Sequence, residues 1–239
     1  RGDRMKTLVA MDTKSIVGKS LVEQRTDSVC NNFRNGDHTT TLIRTESGKV
    51  IEIQHNVMTP QPYNRLYQLT GTKGFANKYP TQGYALSADQ LTASGIQPQV
   101  DNLSAHGFMP KAEQDALVEK YRHPILKKYG EMAKEVGGHG GMDFIMDSRL
   151  IYCLQNGLPL DMDVYDLAEW CCLAELGELS MDNNCAAVSV PDFTRGEWNT
   201  IKGFKHAYAT PEEEASSMEK AKAFTAKLKE QGAKEWSAE

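Results

Sequence analysis

The hydrophobic pattern of this chain changes once along its length, near residue 110. Before that point apolar and β-branched residues alternate, as they do along strands whose side chains point to opposite faces. After it, apolar residues recur every three or four positions, which is the spacing of amphipathic helices. A chain with strands first and helices later favours an α+β fold over a doubly wound parallel sheet.

The first third of the chain predicts a mostly antiparallel open sheet. Residues 38–45 and 49–58 are rich in β-branched side chains, and the Gly-containing segment 46–48 between them is typical of a hairpin connection. Connections this short pair neighbouring strands in antiparallel fashion. Residues 80–110 show no period and contain Gly and Pro, so we expect mostly loop there. The other predicted strands are residues 5–12, 64–70 and 75–79.

The rest of the chain predicts helices that pack on one face of that sheet. Pro124 interrupts the apolar stripe of residues 111–136, so we expect either a kink or two abutting helices there. Further helices are predicted at residues 142–156, 163–179 and 210–232. In the helix at 163–179, the residues predicted to face the core are Leu167, Trp170, Cys171, Ala174 and Leu176.

These elements predict one α+β domain, residues 1–205, and a C-terminal helical arm, residues 206–239, packed on it. The arm has a thin apolar face of Met218, Phe224 and Leu228 among many Lys and Ala residues. At the other end, a strand that needs neighbours opens the chain with no initiator Met before it. We therefore expect a piece of a longer protein, although a processed N-terminus would give the same start.

Charge and cysteine content narrow the classes of partner. Lys and Arg number 27 against 32 Asp and Glu, which gives a net charge of −5 and no basic stripe to neutralise phosphates. Five cysteines at no zinc-ligand spacing argue against a disulfide scaffold and against a metal site. No apolar run reaches the ~18 residues of a membrane span. We therefore expect no nucleic acid, no metal and no membrane span.

The most unusual segment is the run GGHGG at residues 137–141. Its four glycines allow positive φ angles and close approach to another surface, so the loop could present His139 to a pocket as an acid–base or hydrogen-bonding group. The alternative is that the glycines end one helix and start the next, and that backbone groups satisfy the histidine. No strand precedes the run and its glycine order is not G-x-G-x-x-G, so it does not indicate a dinucleotide site.

Tyr63 is the second candidate, because it follows a corner that Pro60 and Pro62 stiffen by fixing φ. A tyrosine at such a corner can offer a flat ring and a hydroxyl to a sugar at the rim of a cleft. The alternative is an aromatic residue at a strand end that covers the core. The residues alone therefore indicate two ligand-contacting side chains, Tyr63 and His139, and no complete catalytic set.

Three blocks of the sequence together resemble one family. They are residues 137–144 (GGHGGMDF), residues 156–166 with the runs NGLPLD and DVYD, and residues 190–194 (VPDFT). In combination these blocks are similar to glycoside hydrolase family 109, which contains the NAD-dependent α-N-acetylgalactosaminidases. The similarity runs from residue 1 to about residue 198, and the tail from about residue 203 is not covered.

A wider resemblance is to the Gfo/Idh/MocA oxidoreductase superfamily, whose second domain resembles the hairpin at 38–58, the segment YNR at 63–65 and the turn GTKG at 71–74. Membership would imply an N-terminal Rossmann domain, absent from this chain, that holds NAD and most catalytic residues. By the resemblance to family 109, Tyr63 matches a substrate-contacting tyrosine, whereas His139 lies in a family motif that assigns it no role. We therefore expect Tyr63 and His139 to bind substrate, and the chain alone not to bind NAD.

The mechanism that the family resemblance implies is oxidation, elimination, addition and reduction. NAD takes a hydride from C3 of the sugar, a base removes the acidified C2 proton, and the C1 substituent leaves. Water then adds and the hydride returns, so that configuration is retained and NAD is not consumed. The cofactor carries the redox step while the protein positions the sugar. This chain would then be the substrate-binding half of the glycosidase, inactive alone.

Two other functions stay open: an NAD(P)-dependent sugar oxidoreductase of the same superfamily, and a non-catalytic oligomerisation module. Sheets of this superfamily often pair face to face, so the resemblance implies a homo-oligomer formed through the sheet. The implied partners are a small-molecule glycoside, the protein's own Rossmann domain and a second copy of the chain. The resemblance also implies a bacterial protein, with export to the cell envelope as one option. The sequence names neither the sugar nor the anomer.

Overall fold

The computed structural model describes residues 3–29, 31–95, 107–158 and 160–199, with positions 219, 223, 226, 227 and 230. In chain order the elements are β1 (Met5–Asp12), α1 (Val17–Thr26), β2 (Thr39–Thr45), β3 (Val50–His55), β4 (Gln68–Thr70), β5 (Gly74–Asn77), β6 (Gly83–Leu86), α2 (Ala88–Ala93), α3 (Lys111–Tyr121), α4 (Pro124–Val136), α5 (Met142–Asn156), α6 (Val164–Asp182) and β7 (Val188–Ser189). Within the described residues, two antiparallel sheets and six α-helices confirm the predicted α+β class.

The chain divides into two compact units. The first unit is Arg1–Gln61 together with Asp147–Glu239, and the second unit is Pro62–Met146. The predicted division into a domain at 1–205 and an arm at 206–239 stays a prediction, because the arm lies almost entirely outside the described residues. The five described positions of the arm are helical, and they fall within the helix predicted there.

The first unit is built on a four-stranded sheet in the order β3-β2-β1-β7. All three pairings are antiparallel, with Leu8 opposite Ile43 and Ile43 opposite Ile51. β2 and β3 form the predicted hairpin, closed by a hydrogen bond of 3.1 Å from Gly48 N to Thr45 O. The predicted hairpin is therefore confirmed, although β3 ends at His55, three residues before the predicted limit.

On one face of this sheet α6 packs along β1, whereas Ile51 and Ile53 of β3, which lie on the same face, are exposed. The buried core and the partly buried residues packed on it are Leu8, Ala10, Ile43 and Val190, with Met5, Cys172, Leu173, Leu176 and Met181. Ser180, which is fully buried, accepts a hydrogen bond from Ala10 N at 3.0 Å and donates one to Ala186 O at 2.7 Å. This hydroxyl joins the helix to β1 and to the chain that leads into β7.

The face of α6 that meets the sheet is not the predicted one. Leu167, Trp170, Cys171 and Ala174 are exposed, and of the predicted set only Leu176 packs on the core. The helix carries a second stripe with two small buried residues, Gly177 and Ser180. Because small residues let a helix backbone approach a strand closely, this stripe lies on β1 and the bulkier one faces outward.

The other face of the first-unit sheet is open to solvent. Met11, Leu42 and Val50 are exposed on three neighbouring strands, and Glu52 and Gln54 continue this surface along β3. The pairing Leu42 opposite Glu52 places an apolar and a charged side chain next to each other on this face. A sheet with a helix on one face and a half-apolar open face matches the predicted open-sheet architecture.

The second unit contains a three-stranded antiparallel sheet in the order β4-β5-β6. The turn GTKG closes β4 onto β5 through a hydrogen bond of 2.8 Å from Gly71 N to Gly74 O. Phe75 stacks on Phe108 with ring centroids 6.1 Å apart. β4 and β5 are shorter than predicted, and the expected loop at 80–110 is wrong in part, because it contains β6 and α2. Both are too short to show a period; residues 96–106 lie outside the described part.

The helical pattern around Pro124 resolves into two abutting helices, α3 and α4, as predicted. Pro124 takes the first position of α4, and the preceding His123 accepts a hydrogen bond from Ile125 N at 3.2 Å. α5 has its predicted limits, and α6 begins where predicted with Asp163 and Asp166 forming a capping box. The cap Asp163 therefore locates the start of α6, Pro124 locates the start of α4, and the glycines at 140, 141 and 157 mark the limits of α5.

Candidate functional site

Tyr63 lies at the start of the second unit with 73% of its surface exposed. Its ring forms a T-shaped pair with Tyr79, with centroids 6.4 Å apart and planes at 89°. The Cζ atom of Arg65 lies 5.6 Å from the Tyr63 ring centroid, and Arg65 Nε donates a hydrogen bond to the Tyr63 hydroxyl. The ring is therefore held by two neighbours while most of it faces solvent, so it does not serve as a cover for the core.

The bond from Arg65 decides how the Tyr63 hydroxyl can act. A guanidinium has only donors, so its Nε–H occupies a lone pair of the phenol oxygen. The phenol hydrogen is then left to donate to an acceptor from outside, such as a hydroxyl or acetamido oxygen. This corner therefore offers a flat apolar ring and one directed donor, a combination that suits a sugar.

Backbone hydrogen bonds hold the segment that carries these side chains. Lys78 N donates to Tyr67 O at 2.9 Å, which extends the β4–β5 pairing by one step toward the corner. Leu66 has a φ of +34°, and its N–H donates to Asn64 Oδ1 at 2.7 Å. The Tyr63 side chain therefore lies just before β4 and contacts a residue just after β5, at one end of this strand pair.

His139 pairs with Asp143, one helical turn further along the chain. Its Nδ1 lies 2.9 Å from Asp143 Oδ2, with 77% of the histidine side chain and 41% of the aspartate side chain exposed. The histidine belongs to a short 3₁₀ turn, His139–Gly141, and the aspartate to the first turn of α5. The imidazole is therefore paired with a carboxylate. The alternative drawn from the sequence, in which backbone groups satisfy the histidine, is not what the structure shows.

Two of the four glycines around His139 are required by close contact. A Cβ on Gly141, whose φ is +97°, would lie 2.6 Å from the carbonyl carbon of Ala133 in α4. A Cβ on Gly138, whose φ is +72°, would lie 2.9 Å from Asp143 Cβ. The loop therefore packs on the end of α4 and leaves the imidazole exposed to solvent, and the role of His139 as a substrate contact stays a prediction.

A small pocket in the first unit, lined by charged and aromatic side chains, surrounds Arg4, just before β1. Arg4 Nη2 bonds to Glu46 Oε1 at 2.8 Å, and Arg4 Nε lies 4.0 Å from Asp192 Oδ2. Glu169 accepts a hydrogen bond from Met5 N, but burial outweighs this bond and raises the pKa of the Glu169 carboxyl. The pocket is also lined by Tyr165, Phe193 and Trp198. Arg4 thus has carboxylate neighbours in Glu46 and Asp192, although its buried Nε makes no hydrogen bond to a described residue.

Sequence reasoning locates Tyr63 and His139 but misses the residues that hold them. Asp143 is four positions after His139, a spacing that brings side chains together on a helical turn, whereas Arg65 is two positions after Tyr63 in a segment that is neither helix nor strand, so that spacing gives no signal. Tyr79 gives no such signal, because it meets Tyr63 only through the pairing of β4 with β5. The two predicted residues belong to separate bonded pairs of the same unit.

The described residues lack two features, a cluster of metal ligands and a helix that could span a membrane. They contain no group of three or more His, Cys, Asp or Glu side chains that could hold a metal ion. In the same part of the chain, no helix combines the length and the apolar character needed to cross a bilayer.

Comparison with known proteins identifies the family. A family model described as glycosyl hydrolase 109, C-terminal domain, matches residues 1–200. The chain belongs to glycosyl hydrolase family 109. It is the C-terminal part of such a protein, so the resemblance drawn from the GGHGGMDF, NGLPLD and VPDFT segments is confirmed.

Bacterial relatives of this family 109 domain are longer than the chain. It is 85% identical over its whole length to glycosyl hydrolase family 109 protein 4 of Phocaeicola vulgatus and 82% identical to protein 5 of the same species, and it covers 46% of each. A family 109 protein of Porphyromonas gingivalis is 60% identical over 209 residues. These residues make up 87% of the chain and 44% of that protein. The chain therefore spans somewhat less than half the length of these relatives.

Two of the family 109 segments hold their carboxylates in structural roles. In VPDFT, Asp192 accepts hydrogen bonds from Thr194 Oγ1 at 2.7 Å and from Gly196 N at 2.8 Å, and these bonds, the one from Thr194 foremost, lower the pKa of Asp192. The run NGLPLD ends at Asp161, whose carboxylate lies 3.0 Å from Arg149 Nε. The GGHGGMD segment differs from both, because it presents an imidazole to solvent.

Proposed function

We propose that this chain is the substrate-binding half of an NAD-dependent, retaining α-N-acetylgalactosaminidase, and that it is inactive without the rest of the protein. Membership of glycosyl hydrolase family 109 supports the hydrolase class and a sugar substrate. The finer assignment to an α-linked N-acetylgalactosamine rests on the resemblance of the three sequence blocks to that group of enzymes. Tyr63 and His139 are the proposed substrate contacts.

The observation that carries the proposal is the exposed Tyr63 ring with its hydroxyl bonded to Arg65. A sugar presents an apolar C–H face and a rim of hydroxyls, which match an aromatic ring and a directed phenol donor. The T-shaped contact with Tyr79 limits rotation of the ring. The corner therefore needs little reorganisation to receive a ligand, and such preorganisation favours binding.

NAD does not fit the residues described. Dinucleotide sites use a parallel βαβ unit with a glycine-rich turn from strand to helix, and every strand pairing in the described residues is antiparallel. The GGHGG loop follows a helix, α4, rather than a strand. We therefore assign the cofactor to the part of the parent protein outside this chain. Bound there, it would supply redox chemistry, while Tyr63 and His139 would bind and orient the sugar.

Hydrolysis by the full-length parent protein tests the proposal. With an aryl α-N-acetylgalactosaminide and NAD, we expect release of the aryl group without net reduction of NAD. A sugar oxidoreductase would instead reduce NAD in proportion to the free sugar consumed. Absence of aryl release, or release that is unaffected by complete removal of NAD, would contradict the proposed function.

The assignment of NAD to the rest of the protein has its own test. Calorimetric titration of the purified chain with NAD should give no saturable heat, whereas the full-length parent should bind the cofactor. Micromolar binding by the chain alone would overturn this part of the proposal, because it would require a dinucleotide site among residues that form antiparallel sheets. A folded chain, verified by circular dichroism, is the necessary control.

We also propose that the open face of the first-unit sheet is covered by a second copy of the chain. Exposed apolar residues on neighbouring strands, Met11, Leu42 and Val50, are typical of an interaction surface. Light scattering of the parent at micromolar concentration should give a dimer or larger species, and Leu42→Glu should shift it toward monomer. Leu69→Glu, at an exposed position of the second unit, is the control. A monomer throughout would contradict this surface.

Export to the cell envelope belongs to the same proposal, and the resemblance to a family with exported members supports it. Fractionation of a bacterium that makes the parent protein should place the glycosidase activity in the envelope or periplasm. Activity confined to the cytoplasm would contradict export without affecting the assignment of the reaction.

A further inference from the structure

We propose that Asp143 is a positioning residue that holds His139 as an outward-facing hydrogen-bond acceptor for a sugar hydroxyl. In this arrangement Nδ1 of the imidazole carries the proton and Nε2 presents its lone pair to the ligand. The inference rests on the proposed function, because it assigns a role at the same substrate site. It adds a residue that neither the sequence pattern nor the family resemblance singles out.

The hydrogen bond between the two side chains determines the tautomer. An ionised carboxylate only accepts hydrogen bonds, so the contact of 2.9 Å between Asp143 Oδ2 and His139 Nδ1 requires the proton on Nδ1. A neutral imidazole carries one ring proton, which leaves Nε2 as an acceptor. The carboxylate also makes the imidazole a stronger acceptor, since it stabilises positive charge on the ring.

The backbone conformation of the loop places His139 next to Asp143. His139 has a φ of +47°, which is uncommon for a residue with a Cβ, and such conformations persist where the surrounding structure imposes them. Gly138 leaves the space that the Asp143 side chain occupies, and Gly141 lies against the backbone of Ala133. The loop therefore places the imidazole against the carboxylate at some conformational cost.

A gain in folding stability does not explain why the loop holds this pair in a strained conformation. The histidine side chain is 77% exposed and that of Asp143 is 41% exposed, and exposed pairs of this kind contribute little to folding even when both partners are charged. A polar pair that is strained into place and left open to solvent is typical of a ligand-contacting group. A sugar hydroxyl is a suitable ligand, because it donates one hydrogen bond to Nε2 and leaves its own oxygen free for another partner.

A metal ion is the other ligand that an aspartate-held imidazole could take. The described residues place no third His, Cys, Asp or Glu side chain close enough to complete such a site. A sugar hydroxyl needs no further ligand from the protein, so the observations favour it. Metal binding is therefore an outcome that would overturn the inference.

A double-mutant cycle in the full-length parent protein, with NAD bound, tests the inference. Asp143→Ala should lower kcat/KM for the aryl glycoside roughly tenfold, the effect of losing about one hydrogen bond. In a His139→Ala background the same substitution should have no further effect, because Asp143 acts through the imidazole. Asp147→Ala, an exposed aspartate one turn further along α5, is the matched control and should leave kcat/KM unchanged.

Two side-chain replacements separate the ring nitrogens. The amide of Gln lies near the position of Nε2, and that of Asn near the position of Nδ1. We therefore expect His139→Gln to retain part of the activity and His139→Asn to lose as much as His139→Ala. Equal activity of the two variants, or a full effect of Asp143→Ala in the His139→Ala background, would overturn the inference.

The tautomer can be measured independently of activity. In the parent protein labelled with ¹⁵N-histidine, the His139 signal, assigned by its loss in His139→Gln, should show a protonated Nδ1 that Asp143→Ala shifts toward protonated Nε2. If the wild type hydrolyses no glycoside, the proposed function fails while this shift still reports on the pair. A protonated Nε2 in the wild type would overturn the inference, and so would a histidine signal that moves on titration with Zn²⁺ but not with N-acetylgalactosamine.

Discussion

Arg65 Nε donates a hydrogen bond to the Tyr63 hydroxyl, and the same guanidinium lies 5.6 Å from the centroid of the Tyr63 ring. One cation therefore both fixes the phenol oxygen and contacts the ring that carries it. Because the guanidinium has no acceptor, the phenol hydrogen must point to a different partner. This relationship turns an exposed tyrosine into a directed donor, and it makes the two residues separable by mutation.

Tyr63→Phe in the full-length parent should lower kcat/KM at least several-fold with no change in folding. The variant keeps the ring but loses a hydrogen bond of roughly 0.5–1.5 kcal/mol. Tyr63→Ala should cost more, because the flat ring is lost as well. Steady-state hydrolysis of an aryl α-N-acetylgalactosaminide, with thermal melts alongside, measures both effects. Tyr121→Phe, at another exposed tyrosine of the second unit, is the control. Wild-type kinetics for Tyr63→Phe would remove this residue from the site.

Arg65→Met should lower kcat/KM by less than Tyr63→Phe, because the phenol stays in place but is free to turn its hydrogen elsewhere. Arg65→Lys should restore part of the activity, since an ammonium also donates without accepting. In a Tyr63→Phe background Arg65→Met should have little further effect. Lys73→Met, which removes an exposed cation from the same unit, is the comparison. An equally large loss in both backgrounds would mean that Arg65 contacts the sugar directly.

The first helix shows why part of the fold was beyond reach of the sequence. α1 is a polar segment without a local cap, and its first N–H groups are instead satisfied by Asp37, about twenty residues later. Asp37 accepts from Gly18 N and Val17 N, both at 2.8 Å, and from Ile16 N at 3.0 Å, and these bonds lower its pKa. A helix end satisfied by a distant carboxylate leaves no signature in a short window.

The same limit explains which face of α6 was misassigned. Periodicity reports that apolar residues share a stripe, but it does not report which of two stripes meets the sheet. Trp170 and Leu167 are the larger residues, yet Gly177 and Ser180 lie against β1 because their size allows close approach. The hairpin and the helix caps depend on neighbouring residues only, so the sequence predicts these correctly. The sequence likewise indicates Tyr63, because Pro60 and Pro62 precede it closely. The contact of Tyr63 with Tyr79 depends on the pairing of β4 with β5, so the sequence does not predict it.

The GGHGG loop provides a matched pair of stability variants. Gly141→Ala should destabilise the protein more than Gly140→Ala. Both glycines have a positive φ, so an alanine at either position costs about 1–2 kcal/mol in backbone conformation. At Gly141 the added Cβ would also overlap the backbone of Ala133, whereas at Gly140 it would meet open space. Urea unfolding of the two variants measures the difference. Equal midpoints would show that the loop does not pack on α4 as described.

Glu169→Gln should stabilise the protein at neutral pH and have no effect in acid. Burial raises the pKa of the Glu169 carboxyl above its ordinary value of 4.5, even though Met5 N donates to it and Arg4 lies nearby. A carboxyl whose pKa is raised by folding is destabilising when ionised, so its cost is absent below 4.5 and fully present above the folded pKa. Gln keeps an acceptor for Met5 N but carries no charge.

Thermal melts of wild type and Glu169→Gln across pH 4–8 measure this difference. We expect the variant to melt roughly 1–3 °C higher at pH 8, with the gap closing as pH falls toward 4. The closure is expected because the wild-type carboxyl becomes protonated in both the folded and the unfolded states. Glu175→Gln, at an exposed glutamate of the same helix, is the control for replacing a carboxyl by an amide. If Glu169→Gln instead melts lower at pH 8 and equals wild type in acid, the ionised carboxylate is a net stabilising partner of Arg4, and its pKa is lowered by folding.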